Sequence, residues 1–584
     1  MAVGRQGGPE KGPASMIPLH ITTLNQLIDH SATAFAQRPA AGFALQPPMN
    51  YQEFYRQILL CAALLRDKGL RKKERLAILA DNSPQWGMTC LAAMRLGAVV
   101  VPILPDFPEA DVKHILAESD AKFLFTTQRQ MEKLCDLPEK GKRSIITLDS
   151  SLDPNGILTV TPFNAFLSQA EELPGKKQDT SGTEVTDRDL ASIIYTSGTS
   201  GHSKAVMLSH GNFLSNLRSS LHVFAGQPID AWTFLSILPM SHAYEFTTSF
   251  LVPLASGSRI VYAGRTPTPT VLERICRQER PTTMCMVPMV MEKIYKKRVL
   301  PTVNNNVLLR NAMRLPFLRR RILRAIGRKL LAFFGGGLKF VAIGGARLNL
   351  EVEKFLAEAR FPYIVGYGLT EAAPLVSAGP YGTPGIALGS AGRPVRDVEV
   401  RIAGADPRSG LGEILVRGPN VMQGYLHNPV ATREAIDQEG WLATGDLGSL
   451  DSRGNLFIRG RSKSVIVLSH GENIYPEPIE EKINAMQQVV ESLVLEQNDR
   501  LEARVHLDYE LLEAAGKGQD QKERRQRIQD ILTAIRTELN RQLPVYSQLS
   551  RVVEQREPFA KTATHKIKRC LYTSESDNHK EKKR

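Results

Sequence analysis

The feature that most limits the fold is an alternation of short apolar runs with helical stretches. Between about Leu24 and Val160 it recurs, as in RLAILADNS followed by WGMTCLAAMRLGAVVVPILP. Parallel strands cannot be joined by a tight turn and need a crossover, usually a helix, so this rhythm predicts βαβ units around a parallel sheet. The α/β alternation continues to about Val400, after which GEILVRGPNVMQGYL and GNLFIRG read as short strands of a β-rich subdomain. From Ser462 a smaller unit follows, with an apolar strand (VIVLS), a helix start at YPEPIEEKI and a charged helix near GKGQDQKERRQRIQDILTAIRTELNRQL. A chain of 584 residues exceeds what one hydrophobic core organises. The expected fold class is therefore α/β: a large amino-terminal domain of parallel-rich subdomains plus the β-rich one, and a small α+β carboxy-terminal domain.

The edges of this plan are marked by composition. Residues 1–18 are rich in Gly and Pro without the apolar core of a signal peptide and read as a disordered tail. The polar, turn-rich stretch 171–189 reads as an exposed linker running into the buried strand LASIIY. Residues 573–584 form a polar, basic tail of disordered type. No stretch reaches the roughly 18 to 20 apolar residues that span a bilayer. The six cysteines are scattered, without a CxxC pair, and read as reduced thiols of a cytoplasmic protein.

The net charge of +14 is localised. From Lys293 to Arg347 there are fourteen Lys and Arg residues and no Asp or Glu. This basic insertion, 293–340, alternates basic with apolar residues in PFLRRRILRAIGRKLLAFFGGGLKF. Such a pattern suits the anionic face of a membrane, which would make the protein peripheral there. It equally suits a solvated helix whose Arg stems cover the core. Nucleic acid fits less well, because aromatic residues for base stacking are not interleaved.

Chemistry is signalled most strongly just after LASIIY, in Tyr195-Thr-Ser-Gly-Thr-Ser-Gly-His-Ser-Lys204. Gly198 and Gly201 admit a close anion, Thr196, Ser197, Thr199 and Ser200 offer hydroxyls, and Lys204 offers charge. The loop is suited to phosphates, yet its Gly198-x-x-Gly201-x-x-Lys204 spacing is not that of a Walker A loop. By itself such a stretch also reads as a plain turn.

Further segments follow in order: Gly344-Gly345-Ala346, Gly366-Tyr-Gly-Leu-Thr-Glu371, Thr444-Gly-Asp446, Gly460-Arg461-Ser-Lys463 and Lys561-Thr-Ala-Thr-His-Lys566-Ile-Lys-Arg569. Together with the loop they resemble the adenylate-forming superfamily of acyl-CoA synthetases, nonribosomal adenylation domains and luciferases. The resemblance covers about Leu24 to Arg569. It implies a large domain over 19–461, a small mobile domain over 462–572, and ATP, Mg²⁺ and coenzyme A as cofactors or co-substrates. The chemistry implied is attack of a carboxylate on the α-phosphate of ATP, which brings two anions together and demands that developing charge be neutralised.

Under this resemblance the 195–204 loop holds the β- and γ-phosphates, Glu371 is the Mg²⁺ ligand with Thr196 as helper, and Thr370 lies close to the α-phosphate. Tyr367 stacks on adenine beside Gly344, Gly345 and Ala346. Asp446 accepts both ribose hydroxyls, two acceptor oxygens matching a vicinal diol, and Arg461 adds a second contact. Lys566 contacts the reacting carboxylate, with Lys561 and Lys568 as local competitors. Lys463 is the hinge, and Gly471 lines the pantetheine passage. His242, in LPMSHAY, orients the carboxylate, gates the acyl pocket, or is simply packed. Ser203, Ala205, Ser464 and His565 depart from the superfamily pattern and leave the direction of Lys204 open. Within the superfamily, VPMVMEKIYKKRVLPTV and VIVLSHGENIYPEPIEEKI resemble long-chain fatty acyl-CoA synthetases. This implies a fatty acid substrate, with acyl carrier protein as an alternative acceptor and an inactive AMP-binding scaffold as the reading outside enzymes.

Overall fold

A computed structural model describes residues 17–135, 143–153, 159–174, 183–196, 203–223, 230–304, 307–468, 473–515, 521–562 and 566–572. Apart from Ile17 and Pro18, the expected tails lie outside the described residues, as do Gly471, 175–182 of the linker, and Ser197, Gly198, Thr199, Ser200 and Gly201 of the loop.

The first apolar runs pair as expected. Arg75–Leu79 lies between Val99–Ile103 and Phe123–Thr126, parallel to both. Every residue of Val99–Ile103 is buried, which explains its unbroken apolar sequence: helices cover both faces of such a sheet. The helix Pro84–Arg95 makes the crossover. Its start is set by Ser83, whose hydroxyl accepts the Trp86 amide at 3.0 Å, and by Pro84 in the first turn. The sheet extends through Ser144–Thr147 and Val160–Pro162 on one side. On the other side come Leu190–Thr196, Lys204–Ser209 and Gly424–Tyr425, the last two joined antiparallel.

A second sheet is built around parallel strands Tyr363–Gly368, Phe340–Ile343, Thr283–Met286, Thr233–Ser236, Arg259–Tyr262 and Pro39–Phe43. An aromatic cluster between the layers joins them: the Trp86 ring is 6.5 Å from Phe250, and Phe213 is 5.1 Å from Phe246. Gly87 permits this approach, since a β-carbon there would lie 2.7 Å from the Phe250 ring. The β-rich part is an antiparallel sheet of Glu399–Ala403, Gly412–Arg417, Leu442–Leu450 and Leu456–Arg461. Gly424–Tyr425 does not join it, contrary to the sequence expectation, but adds to the edge of the first sheet.

The small unit follows the short turn Ser462–Ser464. Its three-stranded sheet, Val489–Gln497, Arg500–Leu507 and Leu549–Glu554, packs on Pro476–Ala485 and on Gln521–Asn540, which buries Ile528, Leu532, Ile535 and Leu539 along one stripe. Among the described residues of the VIVLS segment, Ile466–Val467 alone form strand. Contacts hold this unit to the body. Arg347 pairs with Glu481 at 3.0 Å, whose carboxylate also accepts the Leu350 amide at 3.1 Å. Lys296 donates to the carbonyls of Asn484, in the last turn of Pro476–Ala485, and of Met486 (3.2 Å) and Val489 (3.0 Å) just past it. A cation there satisfies helix-end carbonyls and complements the helix dipole.

The basic insertion is helical over Pro316–Phe333, where Leu323, Gly327, Leu330 and Phe333 are buried. Part of its charge is internal to the protein: Lys296 as described, Arg298 with Glu273 at 2.9 Å, and Arg319 with Glu358 at 2.7 Å. Among the described residues no helix is long and apolar enough to cross a membrane.

Glu245 is a fully buried carboxyl that accepts the Ile237 amide at 3.1 Å. Burial pushes its pKa up to about 8, against nearby hydrogen-bond donors including Ser236 and Ser249. The native state therefore binds more protons than the unfolded chain between the ordinary value of 4.5 and about 8. Its contribution to stability is full below that window and falls as pH rises through it. Glu245→Gln keeps a neutral group of similar shape, so the difference in melting temperature between mildly acidic and mildly alkaline buffer should shrink relative to the parent; an unchanged difference would contradict this account.

Candidate functional site

The cleft forms where strands of both large sheets end, the usual place for ligands in α/β proteins. Leu190–Thr196 and Lys204–Ser209 make a hairpin in which Thr196 faces Lys204, and the Thr196 hydroxyl donates to the Lys204 carbonyl at 3.3 Å. The segment they flank is the proposed phosphate loop. The direction of Lys204 is resolved: its ammonium lies 4.6 Å from the centre of the Tyr425 ring. Tyr425 is brought there by the edge strand, and its hydroxyl donates to Glu371 Oε1 at 3.0 Å. Lys204, Tyr425 and Glu371 thus form one chain of contacts beside Thr196.

Thr370 and Glu371 occupy a tight turn, Thr370–Ala372, following Tyr363–Gly368. The turn is held from behind. Asn420 donates to the Ala372 carbonyl at 2.9 Å, Asn216 to that of Leu375 at 2.8 Å, and Thr247 to that of Ala373 at 3.1 Å. The Met422 amide donates to the Glu371 carbonyl at 2.8 Å. These bonds satisfy the turn's backbone and fix where the Glu371 side chain leaves it.

A second group faces the first. Asp446 and Arg461 are paired across neighbouring strands, and Arg461 Nε lies 3.0 Å from Asp446 Oδ1. The Tyr367 hydroxyl donates to Oδ2 at 2.7 Å, so each carboxylate oxygen has a partner although Asp446 is only 6% exposed. The Asp446 amide donates to Thr444 Oγ1 at 3.1 Å. Burial and then the Asp446 charge hold the Tyr367 phenol well above its usual range, so it serves as donor at any physiological pH. Lys566 lies within electrostatic range of this group. Surrounding protein, then Arg461, lowers its pKa, while the charges of Asp446 and Glu371 act the other way. The side chain remains solvent-accessible, so water screens much of this field. Of its competitors, Lys561 is engaged elsewhere, pairing with Glu491 at 2.6 Å, while Lys568 is exposed, as Lys566 is.

Gly344 and Gly345 follow the strand Phe340–Ile343, and Gly345 has φ +85°, a conformation suited to glycine. A β-carbon on Gly344 would lie 3.5 Å from the Gly366 carbonyl, which sets this stretch beside the segment carrying Tyr367; Ala346 is exposed next to it. His242 is half-buried before the short helix Ala243–Glu245, and Tyr244 of that helix abuts Gly344. Lys463 is exposed on the turn after Arg461.

Sequence reasoning missed Tyr425, Lys296, and the asparagines Asn216 and Asn420 that support the Glu371 turn. Tyr425 carries no local motif, and its edge strand is too short to advertise its partner.

The chain belongs to the AMP-binding enzyme family: the AMP-binding enzyme model matches residues 28–426, and the AMP-binding enzyme C-terminal domain matches 463–576. Among curated proteins it is 27% identical to the long-chain-fatty-acid–CoA ligase ACSBG1 of Rattus norvegicus, over 81% of this chain and 69% of that one. It is 28% identical to 4-coumarate–CoA ligase 3 of Arabidopsis thaliana, over 76% and 75% respectively. The fold matches ATP-bound MatB from Rhodopseudomonas palustris with a TM-score of 0.73 at 21% identity, covering 94% of this chain and 98% of that structure.

Tyr367→Phe removes one of the two partners of a nearly buried carboxylate. Loss of a hydrogen bond to a charged group typically costs about 1.5–3 kcal/mol, so urea unfolding should begin at lower concentration. A variant as stable as the parent would show that this bond is not a structural tie.

Proposed function

We propose that this enzyme uses ATP to convert a carboxylic acid, best matched by a long-chain fatty acid, into an acyl-adenylate and then passes the acyl group to coenzyme A. The observation that carries the reading is the convergence of Lys566, Arg461, Asp446 and Glu371 on one cleft. Two chemically distinct groups share that cleft: a buried carboxylate with donors around it, suited to a diol, and a cation–carboxylate group beside a Gly/Ser/Thr loop, suited to phosphates. The names of the ligase relatives support an acid–thiol ligation, and they span fatty and aromatic acids.

In this scheme Asp446 accepts the ribose hydroxyls and Arg461 steadies it, while Tyr367 and the backbone of Gly344, Gly345 and Ala346 flank the adenine. The 195–204 loop holds the outer phosphates, and Lys204, fixed over Tyr425, contributes charge at its end. Glu371 and Thr196 fit Mg²⁺: one carboxylate and one hydroxyl suit a cation that keeps several waters and shares phosphate oxygens. When bound, that ion would neutralise phosphate charge. Thr370 lies next to the α-phosphate, and His242 borders the acyl side. A carboxylate oxygen attacks the α-phosphorus and the bond to pyrophosphate breaks. Lys566 balances the negative charge that moves between them, a contribution of the kind that is typically worth on the order of 10² to 10³ in rate. The thiol then attacks the acyl carbonyl and AMP leaves. Rotation of the small unit about Lys463 would withdraw Lys566 and bring Gly471 to line the thiol's passage, so that one cleft serves both steps. Peripheral contact of 293–340 with an anionic membrane would suit collection of a lipid substrate.

The direct test is pyrophosphate exchange into ATP across a series of acids, followed by acyl transfer to coenzyme A or acyl carrier protein. Exchange greatest with long-chain fatty acids and transfer to coenzyme A is expected. Exchange with aromatic acids alone would move the substrate class, and none at all would favour an inactive scaffold. Lys566→Ala should lower adenylate formation by about 10² to 10³ while leaving thioester formation from supplied acyl-adenylate largely intact; equal loss in both steps would remove Lys566 from its role. Tyr425→Phe, which removes the donor to Glu371 but keeps the ring under Lys204, should lower exchange by roughly tenfold or more and raise the Mg²⁺ concentration needed.

A further inference from the structure

A hollow of about 520 Å³ opens on the outer face of the helix Pro316–Phe333, bordered by Arg321, Arg324, Arg328, Leu331, Ala359 and Arg360. Four of its six lining residues are arginines and none is acidic. Arg321, Arg324 and Arg328 recur at helical spacing and share one face. Arg360 comes from a different element, the turn after Leu350–Glu358, where its φ of +54° places it in the left-handed region.

The two elements are held close by a specific device. Gly327, buried on the helix between Arg324 and Arg328, has no side chain where a β-carbon would lie 2.5 Å from the Ala359 carbonyl. Any larger residue would push the turn, and Arg360 with it, away from the other arginines. The nearest acid in sequence, Glu358, is taken by Arg319 in a two-pronged pair at 2.7 and 2.8 Å. Among the described residues none of the four arginines has a carboxylate within ion-pair distance; Arg321 instead lies 4.4 Å over the exposed Phe317 ring. Four like charges around one cavity repel one another and raise the free energy of the empty site, so an anion gains from all four at once. Planar guanidinium forks match the several oxygens of a phosphate group, each donating in pairs.

We infer that this hollow is a binding site for a phosphate monoester or other phosphate-rich anion, separate from the adenylation cleft and independent of which acid the enzyme activates. Such a group has two sources. A lipid headgroup would also engage the exposed apolar side chains nearby in the chain, Leu308, Leu315 and Phe317, whereas a soluble phosphate ester would use the arginines alone.

The test compares sedimentation of the full chain with vesicles of phosphatidylcholine alone and of phosphatidylcholine containing phosphatidic acid, and calorimetric titration with glycerol 3-phosphate, which carries the same headgroup chemistry without the chains. Arg324→Gln/Arg328→Gln is the main variant; glutamine is a good helix former, and circular dichroism with thermal melting checks that the variant is folded. Binding to the phosphatidic acid vesicles that falls at least tenfold in the variant supports the site with a lipid source. Binding of glycerol 3-phosphate that falls likewise, without vesicle binding, supports it with a soluble source. Binding of neither probe, or binding unaffected by the variant, overturns it. Arg324→Lys/Arg328→Lys separates a shaped site from a diffuse field: paired guanidinium contacts predict a loss here too, and parent-like binding would overturn the pocket.

Discussion

The ion pair between Asp446 and Arg461 is the tie on which the rest of the cleft depends. It joins the edge strand Leu456–Arg461 of the antiparallel sheet to its inner neighbour Leu442–Leu450, and the Tyr367 hydroxyl draws in the end of a strand from the second large sheet. Arg461 is also the last residue before the turn that leads to the small unit. A nearly buried carboxylate is tolerable only when its oxygens are paired, so the body of the protein must present Tyr367 and Arg461 correctly before Asp446 can sit where it does. The geometry of the cleft wall is thereby fixed at the point where the chain leaves for the domain carrying Lys566.

How far this arrangement was legible follows from how local each interaction is. The parallel sheet was readable from RLAIL and VVVPIL because strands covered on both faces leave an unbroken apolar record. Asp446, Arg461 and Glu371 could be nominated because they stand in short motifs with turn residues around them. Tyr425 was not, because nothing near it in sequence says that two residues of strand will leave their neighbours and join Lys204–Ser209 on another sheet. The charge run from Lys293 to Arg347 was legible as charge but not as structure. Sequence alone read it as one segment, either facing an anionic membrane or solvated with its Arg stems over the core, whereas the fold divides it. Lys296 and Arg347 face the small unit, Arg298 and Arg319 pair within the body, and the arginines of Pro316–Phe333 that line the hollow remain open to solvent.

That division sets part of the basic stretch against the small unit and leaves the rest to the body and to solvent. Lys296 engages backbone carbonyls rather than a carboxylate, and burial lowers its pKa. A contact between one ammonium and several carbonyls defines an orientation, and the charge of the largely buried Glu292 on the same helix also acts on that ammonium. Glu481, which accepts from both Arg347 and the Leu350 amide, adds register to the same interface.

The edge strand at Gly424–Tyr425 also has a consequence for the order in which the chain assembles. During synthesis the hairpin ending at Ser209 emerges long before its last partner, so one side of the first sheet carries unsatisfied backbone groups while the second sheet and the Glu371 turn are still being made. The second sheet has the opposite problem: Pro39–Phe43 is among the first strands made and must wait for Arg259–Tyr262. Both layers are therefore closed by segments distant in sequence, which slows folding and leaves strand edges open to wrong partners in the interval. The candidate cleft and the completion of the fold are in this sense one event, since the strand that seals the sheet is the one that delivers Tyr425 to Glu371.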